Sequence, residues 1–345
     1  MQIGTCKMRI LLFNDISSKH KSNRHLVVRF KQTRMRKFLL LSLLIVSTTC
    51  CEYNPSNDDT KCISREFQKN QPVSLKKWGS KLDLSLIRGP IFADSFPLLL
   101  GIKEMTLRSS NISDIEPGFF HQFPNLESLT IKINHGFPNI TTRVFKGCCP
   151  KLTSFKVLDN NLRSFDNQVF KTMPKLEFLW IEKQNLGPLE ANYFSGLGSL
   201  KKLRLQHCEI KRIDQNAFDD LSNLVKLELP TNQVEKIQAG TFKNLKKLEE
   251  LHLSGNSIRN FTGGEFNGLD NLKRLELIGN KINSLNVEKI LENLPKLERI
   301  GIKLTLFECD RAKSLVERIK ENNIEIKNVD EVLSDSCSKD SKEQD

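Results

Sequence analysis

The residue types that perform catalysis or hold metals occur here without a catalytic spacing. Downstream of residue 51 the histidines are His121, His135, His207 and His252. None belongs to a His-Glu-x-x-His pair, and the chain has no Gly-x-Ser-x-Gly elbow and no phosphate-binding glycine loop. If His207 and His252 lie on strands two steps apart, about 10 Å separates their backbones, which is too far for a shared metal. The sequence therefore predicts no enzyme activity, no metal site and no cofactor.

Aromatic and charged residues indicate recognition instead. Phe178 and Trp180 alternate with apolar residues, and Arg204 follows Trp180 by 24 positions. We expect both aromatic rings to be exposed, and exposed Trp beside Arg is the composition of an interface hot spot. The alternative is that Trp180 stacks on Arg204 without any partner. The predicted partner-binding residues are Phe178, Trp180, Lys201, Lys202, Arg204, His207, Glu228, His252 and Glu276.

The charges near these aromatic residues are segregated along the sequence. The basic residues Lys201, Lys202 and Arg204 precede the acidic residues Glu228, Glu249, Glu250 and Glu276. We expect a basic zone to meet an acidic zone on one face. The alternative is pairing across neighbouring strands for solubility, with each pair contributing about 0.2–1 kcal/mol. The two uses are compatible.

A 24-residue repeat supplies the scaffold that places these residues on one face. Leu224-x-x-Leu227-x-Leu229-x-x-Asn232-x-Val234 is followed by the same pattern from Leu248 and again from Leu272. When weaker copies of the pattern are included, the first positions of the repeats fall at 102, 126, 152, 176, 200, 224, 248, 272 and 297. A phenylalanine recurs about 18 residues after most of them, at Phe120, Phe145, Phe170, Phe194, Phe218, Phe242 and Phe266.

Each repeated residue type has a structural role. The Leu-x-Leu alternation predicts a short strand with one apolar face, and such strands stack about 4.8 Å apart. The Asn side chain can bond to backbone groups where the strand ends. The phenylalanine closes the opposite side and stacks on that of the next repeat. Its spacing to the following leucine suits a helical turn or irregular coil.

This unit resembles the leucine-rich repeat of extracellular proteins, such as Toll-like and Slit-like ectodomains. The resemblance implies an α/β fold that is mostly β, with short helical or irregular convex segments. We expect a curved leucine-rich-repeat solenoid with a parallel concave sheet, about nine repeats over residues 98–307, and a cap at each end. The concave face, where the repeat leaves residues free to vary, is then the expected binding surface.

The amino-terminal region reads as a targeting segment. Residues 35–51 have a basic start and an apolar centre, which is typical of a secretory signal peptide. Their uncharged run is shorter than the roughly 20 residues of a spanning helix, although a retained membrane anchor is the rival interpretation. Residues 1–34 read as a gene-model extension or disordered segment, with a functional basic tail as the alternative.

The net charge of +12 belongs mostly to that region. Ten of the 53 Lys and Arg and one of the 41 Asp and Glu lie in residues 1–51. The remainder carries a charge of only +3. The overall basicity is therefore poor evidence for nucleic acid or for anionic membranes as partners.

Cysteines mark the two predicted caps. Residues 52–97 read as an amino-terminal cap, with Leu82, Leu84 and Leu86 as a degenerate first strand and a clasp between Cys51 and Cys62. Residues 308–337 read as a carboxyl-terminal cap around a helix from Asp310 to Glu321. A Cys309–Cys337 bridge resembles a reduced form of the family's four-cysteine cap. Residues 338–345 read as a polar tail.

The other cysteines leave the connectivity open. Adjacent Cys148 and Cys149 are expected not to pair with each other, because the backbone would strain such a ring. The pairing of Cys50 and Cys208 also stays open.

These patterns predict a secreted glycoprotein that binds an extracellular or cell-surface protein through its concave face. Sequons at Asn111, Asn139 and Asn260 are candidate glycosylation sites. The resemblance implies a role in extracellular signalling, adhesion or innate immunity. The alternatives are recognition of a microbial glycan or lipid, and an ectodomain-like decoy or co-receptor. Nucleic acid is a disfavoured partner, and no membrane span is expected.

Overall fold

A computed structural model of the chain describes residues 50–63, 66–134, 140–160, 162, 166–304, 306–327 and 337. The strands are β1 (Cys50–Asn54), β2 (Asp59–Ile63), β3 (Lys81–Ser85), β4 (Arg88–Ile91), β5 (Glu104–Arg108), β6 (Asn111–Ile115), β7 (Ser128–Lys132), β8 (Ser154–Leu158), β9 (Phe178–Glu182), β10 (Lys202–Gln206), β11 (Lys226–Glu228), β12 (Glu250–His252), β13 (Asn260–Phe261), β14 (Arg274–Glu276), β15 (Ser284–Leu285), β16 (Arg299–Gly301) and β17 (Glu325–Ile326). The α-helices are α1 (Thr142–Phe145), α2 (Val287–Asn293) and α3 (Cys309–Glu321). Short 3-10 helices span Phe119–Gln122, Asn167–Thr172 and Gly264–Phe266.

One long sheet dominates the molecule. Its strand order is β1-β2-β3-β5-β7-β8-β9-β10-β11-β12-β14-β16-β17. The β1–β2 pair is antiparallel, and every later neighbour in this sheet is parallel. Two small parallel pairs, β4–β6 and β13–β15, lie outside it. The sequence prediction of a parallel leucine-rich-repeat solenoid is confirmed, with nine repeat strands from β5 to β16.

The repeat strands form because apolar and polar residues alternate with the period of a strand. In β10, Leu203 and Leu205 are fully buried while the residues around them are half-buried. Leu203 aligns with Leu179 on one side and with Leu227 on the other. The leucines therefore stack in register into one continuous core, as expected for repeats that cannot bury their apolar faces alone.

A ladder of side-chain amides closes the ends of most repeat strands. Asn232 Oδ1 accepts from the backbone N–H of Cys208 at 2.9 Å, and its Nδ2 donates to the carbonyl of Leu205 at 2.8 Å. Asn256 repeats the pattern on Val234 and Leu229, one repeat later. Each amide thus satisfies buried backbone groups of the preceding repeat, which would otherwise be costly.

Phenylalanines line the convex side. Phe120 stacks on Phe145 with ring centroids 4.8 Å apart, and Phe194 stacks on Phe218 at 5.7 Å. All four rings are buried. They sit in short turns and single helical turns, as the sequence spacing predicts, and their stacking joins neighbouring repeats.

The amino-terminal cap extends the sheet by three strands. The structure joins Cys51 in β1 to Cys62 in β2. Leu86 departs from expectation. It follows β3 in a left-handed conformation (φ 57°) and is 55% exposed, so only Leu82 and Leu84 serve as core residues of that strand.

The carboxyl-terminal cap is a helix and a final strand. Helix α3 buries Ala312, Val316 and Ile319 at helical spacing. Cys309 at its start is joined to Cys337. Strand β17 then pairs with β16 and covers the last edge of the sheet. Edge strands expose unpaired backbone groups, so this helix and strand seal the solenoid.

The expectation that Cys148 and Cys149 do not pair is wrong, because the structure joins them in a disulfide. Cys149 adopts a left-handed backbone conformation (φ 65°), which accommodates the small ring. Both residues are buried on the convex side after α1.

Over the described part of the chain, no helix has the length and apolar character needed to cross a membrane.

Candidate binding site on the concave sheet

The concave surface consists of the residues that alternate with the buried leucines. In β7 to β10 the first, third and fifth positions of each strand are half-buried, and the second and fourth are buried. The parallel register places Lys156, Trp180 and Arg204 side by side, and Glu228 and His252 follow in the same row. The row that the repeat pattern predicts therefore exists.

We call Lys156, Phe178 and Trp180 the aromatic cluster. Phe178 and Trp180 form its centre. Their ring centroids lie 6.5 Å apart. The ammonium groups of Lys156 and Lys202 both lie 5.5 Å from the Phe178 centroid, and the Arg204 guanidinium lies 5.1 Å from that of Trp180. Both aromatic side chains are half-buried rather than exposed, because these long cationic side chains lie against their rings.

Trp180 also has an unusual polar atom. Its indole Nε1 is buried and has no hydrogen-bond acceptor among the described residues. Buried hydrogen-bond donors in proteins nearly always have an acceptor, so the unpaired Nε1 of Trp180 is unusual.

Glu228 is the most buried charge on this face, with a side chain only 7% exposed. Its oxygens lie 3.3 Å from Lys202 Nζ, 3.5 Å from Lys226 Nζ and 3.6 Å from Arg204 Nη1. A buried carboxylate is costly unless it is paired, and here three cations compensate it. Arg204 is also fixed by hydrogen bonds from its guanidinium to Gln206 Oε1.

The pairing continues on the next strands. Glu250 lies 2.7 Å from both Lys226 Nζ and Arg274 Nη1. Burial alone would raise the pKa of Glu250, but the Lys226 hydrogen bond and the nearby cations lower it overall. We call Lys202, Arg204, Lys226, Glu228, Glu250 and Arg274 the charge ladder. Cations and carboxylates pair across neighbouring strands along it, which is the pairing that the sequence offered as the alternative to two separate charge zones.

His252 lies inside the ladder rather than on an open surface. Its Nε2 is buried and lies 3.5 Å from Glu250 Oε2. Burial lowers the pKa of this imidazole, and the adjacent Lys226 ammonium lowers it further. His252 is therefore biased toward its neutral form.

Three predicted residues stand away from this centre. Lys201 lies before β10 and pairs with Glu177 at 2.9 Å. His207 lies beyond the end of β10 in a left-handed turn (φ 52°), so its expected place on the strand is wrong. Glu276 lies further along the row, and its carboxylate covers Gly301, where a side chain would overlap it.

Sequence reasoning left four contributors out of the predicted site. Lys226, Glu250 and Arg274 occupy the first position of their strands, in the column that also holds Phe178 and Lys202. Lys156 precedes Trp180 in the central row. The register of the repeat would have found all four, because each occupies a position that the predicted site already uses on another strand.

The remaining candidates for chemistry are structural. Cys208 is the free thiol of the described chain and takes the place of Asn in the ladder of amides, where its Sγ–H donates to the carbonyl of Ile181 at 3.3 Å. Burial raises its pKa to about 12, so it is a poor nucleophile. No cluster of metal-ligating side chains occurs among the described residues.

The sequons avoid the concave sheet where they can be placed. Asn111 begins β6 and Asn260 begins β13, and both are exposed. Asn139 lies outside the described residues.

Comparison with known proteins identifies the repeat. A family model for the leucine rich repeat matches residues 222–282, and the model for the BspA type leucine rich repeat region (6 copies) matches residues 90–225. The sequence has no match among curated proteins.

Many solved structures share the fold. A chain of the TLR13–ssRNA13 complex matches with a TM-score of 0.55 at 20% identity, covering 66% of this chain and 39% of that one. This protein thus spans well under half the length of that chain. A chain of the octameric complex of Latrophilin 3, Unc5D and FLRT2 (LRR) matches with a TM-score of 0.57 at 18% identity, covering 80% of this chain and 91% of that one. With its nine stacked repeats and both family models in agreement, the chain is a leucine-rich-repeat protein.

Proposed function

We propose that this protein is a secreted binding module that recognises an extracellular or cell-surface protein through the aromatic cluster of its concave face. The observation that carries the proposal is the half-buried pair of Phe178 and Trp180, held between cations on a rigid sheet. Tryptophan and arginine are enriched among the residues that dominate binding energy. Leucine-rich-repeat folds generally serve as binding modules rather than enzymes.

Preorganisation supports this assignment. Lys156 and Lys202 flank Phe178, and the hydrogen bonds to Gln206 hold Arg204 over Trp180. Ordering side chains on binding costs about 0.5–1.5 kcal/mol each, so a site that is ordered in advance loses less.

Secretion is supported by the cysteines and by the apolar segment near the amino terminus. The pairs Cys51–Cys62 and Cys309–Cys337 tie down the two ends of the solenoid, and such bonds persist in oxidising compartments. We place the signal cleavage before Cys51, so that the secreted chain keeps the Cys51–Cys62 bond. A role in signalling, adhesion or innate immunity, including that of a decoy or co-receptor, is compatible with such a module.

The test is comparative capture from extracellular and cell-surface proteins, followed by mass spectrometry and titration of the captured partner. The baits are the secreted wild-type protein, a Phe178→Ala/Trp180→Ala variant and a Tyr53→Ala control. Tyr53 is a suitable control because Lys77 lies over its ring at 4.7 Å, which makes it an aromatic–cation pair remote from the proposed site. A partner retained by wild type and control but lost by the double variant supports the proposal.

The same experiment separates the alternatives. A protein partner that binds the double variant equally well places the interface elsewhere and overturns the proposed site. Capture of a glycan or lipid in place of a protein overturns the proposed partner class. A captured partner that is nucleic acid, and whose affinity falls steeply as the salt concentration rises, would indicate that the protein binds phosphate groups electrostatically.

A further inference from the structure

An apolar groove opens beside the amino-terminal cap, away from the aromatic cluster. Its volume is about 420 Å³, and it is lined by Ile63, Leu86, Arg88 and Asn111 among others. Ile63 and Leu86 are 50% and 55% exposed, which is high for large aliphatic side chains placed side by side. Pockets of about 300–1,000 Å³ are the usual size for small ligands.

Leu86 is costly in this position. It has a left-handed backbone, which is unfavourable for a bulky side chain, and it directs an aliphatic group into solvent. Either glycine or a polar residue would fit this turn with less strain. The same left-handed turn follows later strands, for example at Ser109 and Ile133, so the feature particular to this groove is the pair of exposed aliphatic side chains, Ile63 and Leu86.

Asn111 borders the same groove and starts a glycosylation sequon with Ser113. Its backbone N–H donates to the carbonyl of Ile87 at 2.7 Å, and it is the β6 partner of Arg88 in β4. The attachment residue is therefore fixed at the rim of the groove, and its side chain is exposed. A group linked to it therefore starts from a residue that lines the same groove as Leu86.

We propose that Asn111 carries an N-linked glycan whose first N-acetylglucosamine lies in this groove, with its apolar ring face against Ile63 and Leu86. The exposed Arg88 guanidinium, which makes no ion pair with any described residue, is placed to donate hydrogen bonds to the sugar. The glycan then seals the cap surface against association. The inference rests on the proposed secretion, because the modification requires passage through the secretory pathway.

The test uses the full chain secreted from eukaryotic cells that attach high-mannose glycans. One sample is treated with an enzyme that cuts between the first two sugars, and another with an amidase that removes the whole glycan. The readouts are the mass of the peptide that contains Asn111 and the fluorescence of a dye that binds apolar surfaces. Treating the folded protein avoids any effect of a substitution on folding.

We expect the trimmed protein to resemble the untreated one, because the first sugar remains. Complete removal should raise the dye signal at least about twofold by uncovering the apolar groove. The increase should disappear in an Ile63→Ser/Leu86→Ser background. An Asn260→Gln variant is the matched control, since it removes a glycan outside this groove and should leave the dye signal unchanged.

Several results would overturn the inference. If Asn260 is modified and Asn111 is not, the chain enters the secretory pathway but the groove lacks its proposed occupant. If trimming and complete removal give the same dye signal, the first sugar does not cover the groove. If neither asparagine is modified and the chain stays in the cell, the inference fails together with the proposed secretion.

Discussion

Strands β7–β9 and strands β10–β14 share one scaffold, but the charged residues of the two regions differ in the ion pairs that they make. In β10–β14 the charge ladder pairs Glu228 and Glu250 with five cation contacts. In β7–β9 the residues Lys132, Lys156 and Glu182 make no ion pair with any described residue. A partner that docks on the ladder must compete with ion pairs already made. A partner that docks on β7–β9 finds no ion pair among those three residues and meets the ladder only through Lys202 and Arg204, which lie against the Phe178 and Trp180 rings. The difference favours the aromatic cluster as the place where binding energy is available.

The largest expected effect comes from the core that both regions share. Leu227 is fully buried under the ladder, in register between Leu203 and Leu251. Leu227→Ala removes apolar contacts and leaves a cavity, so the free energy of unfolding should fall by about 2–5 kcal/mol. Denaturant titration measures this loss. The folded fraction should still bind a partner, because the aromatic cluster lies two strands away; a loss of affinity without a loss of stability would contradict this separation of roles.

The next effect distinguishes the two regions directly. Glu228→Gln keeps the size of the side chain but leaves three cations facing one another, so we expect a loss of about 1–3 kcal/mol in stability. Glu182→Gln is the matched substitution in β9, where no ion pair is lost, and it should change stability by less than about 0.5 kcal/mol. Equal effects of the two substitutions would mean that the ladder does not stabilise the fold.

The third effect concerns binding rather than stability. Trp180→Ala should weaken the binding of an identified partner by at least about 1 kcal/mol, roughly fivefold in Kd, with little change in melting temperature. Arg274→Ala is the control in the ladder and should leave affinity nearly unchanged. Titration calorimetry with both variants decides the matter. Unchanged affinity of Trp180→Ala would remove this residue from the interface.

The sequence predicts the scaffold better than the site for a physical reason. The burial of leucines such as Leu203 and Leu227 and the side-chain amide hydrogen bonds such as those of Asn232 recur in most repeats, so their pattern is visible along the chain. The state of Glu228 depends on which long cationic side chains reach it from neighbouring strands, and residue type alone does not specify that. His207 shows that the repeat pattern does not fix the place of every residue, because a left-handed turn at His207 puts it beyond the end of the strand.

The smallest expected effect is a difference in acid response between the two regions. The pKa of Glu250 is lowered by its cationic partners, and that of His252 by burial. A group with a lowered pKa in the folded protein stabilises it above the unfolded pKa, about 6.5 for His and 4.3 for Glu, and loses that contribution as pH falls. Stability in β10–β14 should therefore decline as pH falls below about 6.5 through the loss of the His252 contribution, and further below about 4.3 through the loss of the Glu250 contribution, more than in β7–β9.

Hydrogen exchange with mass spectrometry, corrected for the intrinsic pH dependence of exchange, measures this difference by region. Peptides from β11 and β12 should lose protection before those from β7 and β8, because only the former depend on Glu250 and His252 staying in their preferred charge states. A Glu250→Gln variant supplies the control, since it removes the carboxylate that titrates and should reduce the difference. Uniform loss of protection along the sheet would instead show that the solenoid opens as one cooperative unit, with the ladder contributing no local stability.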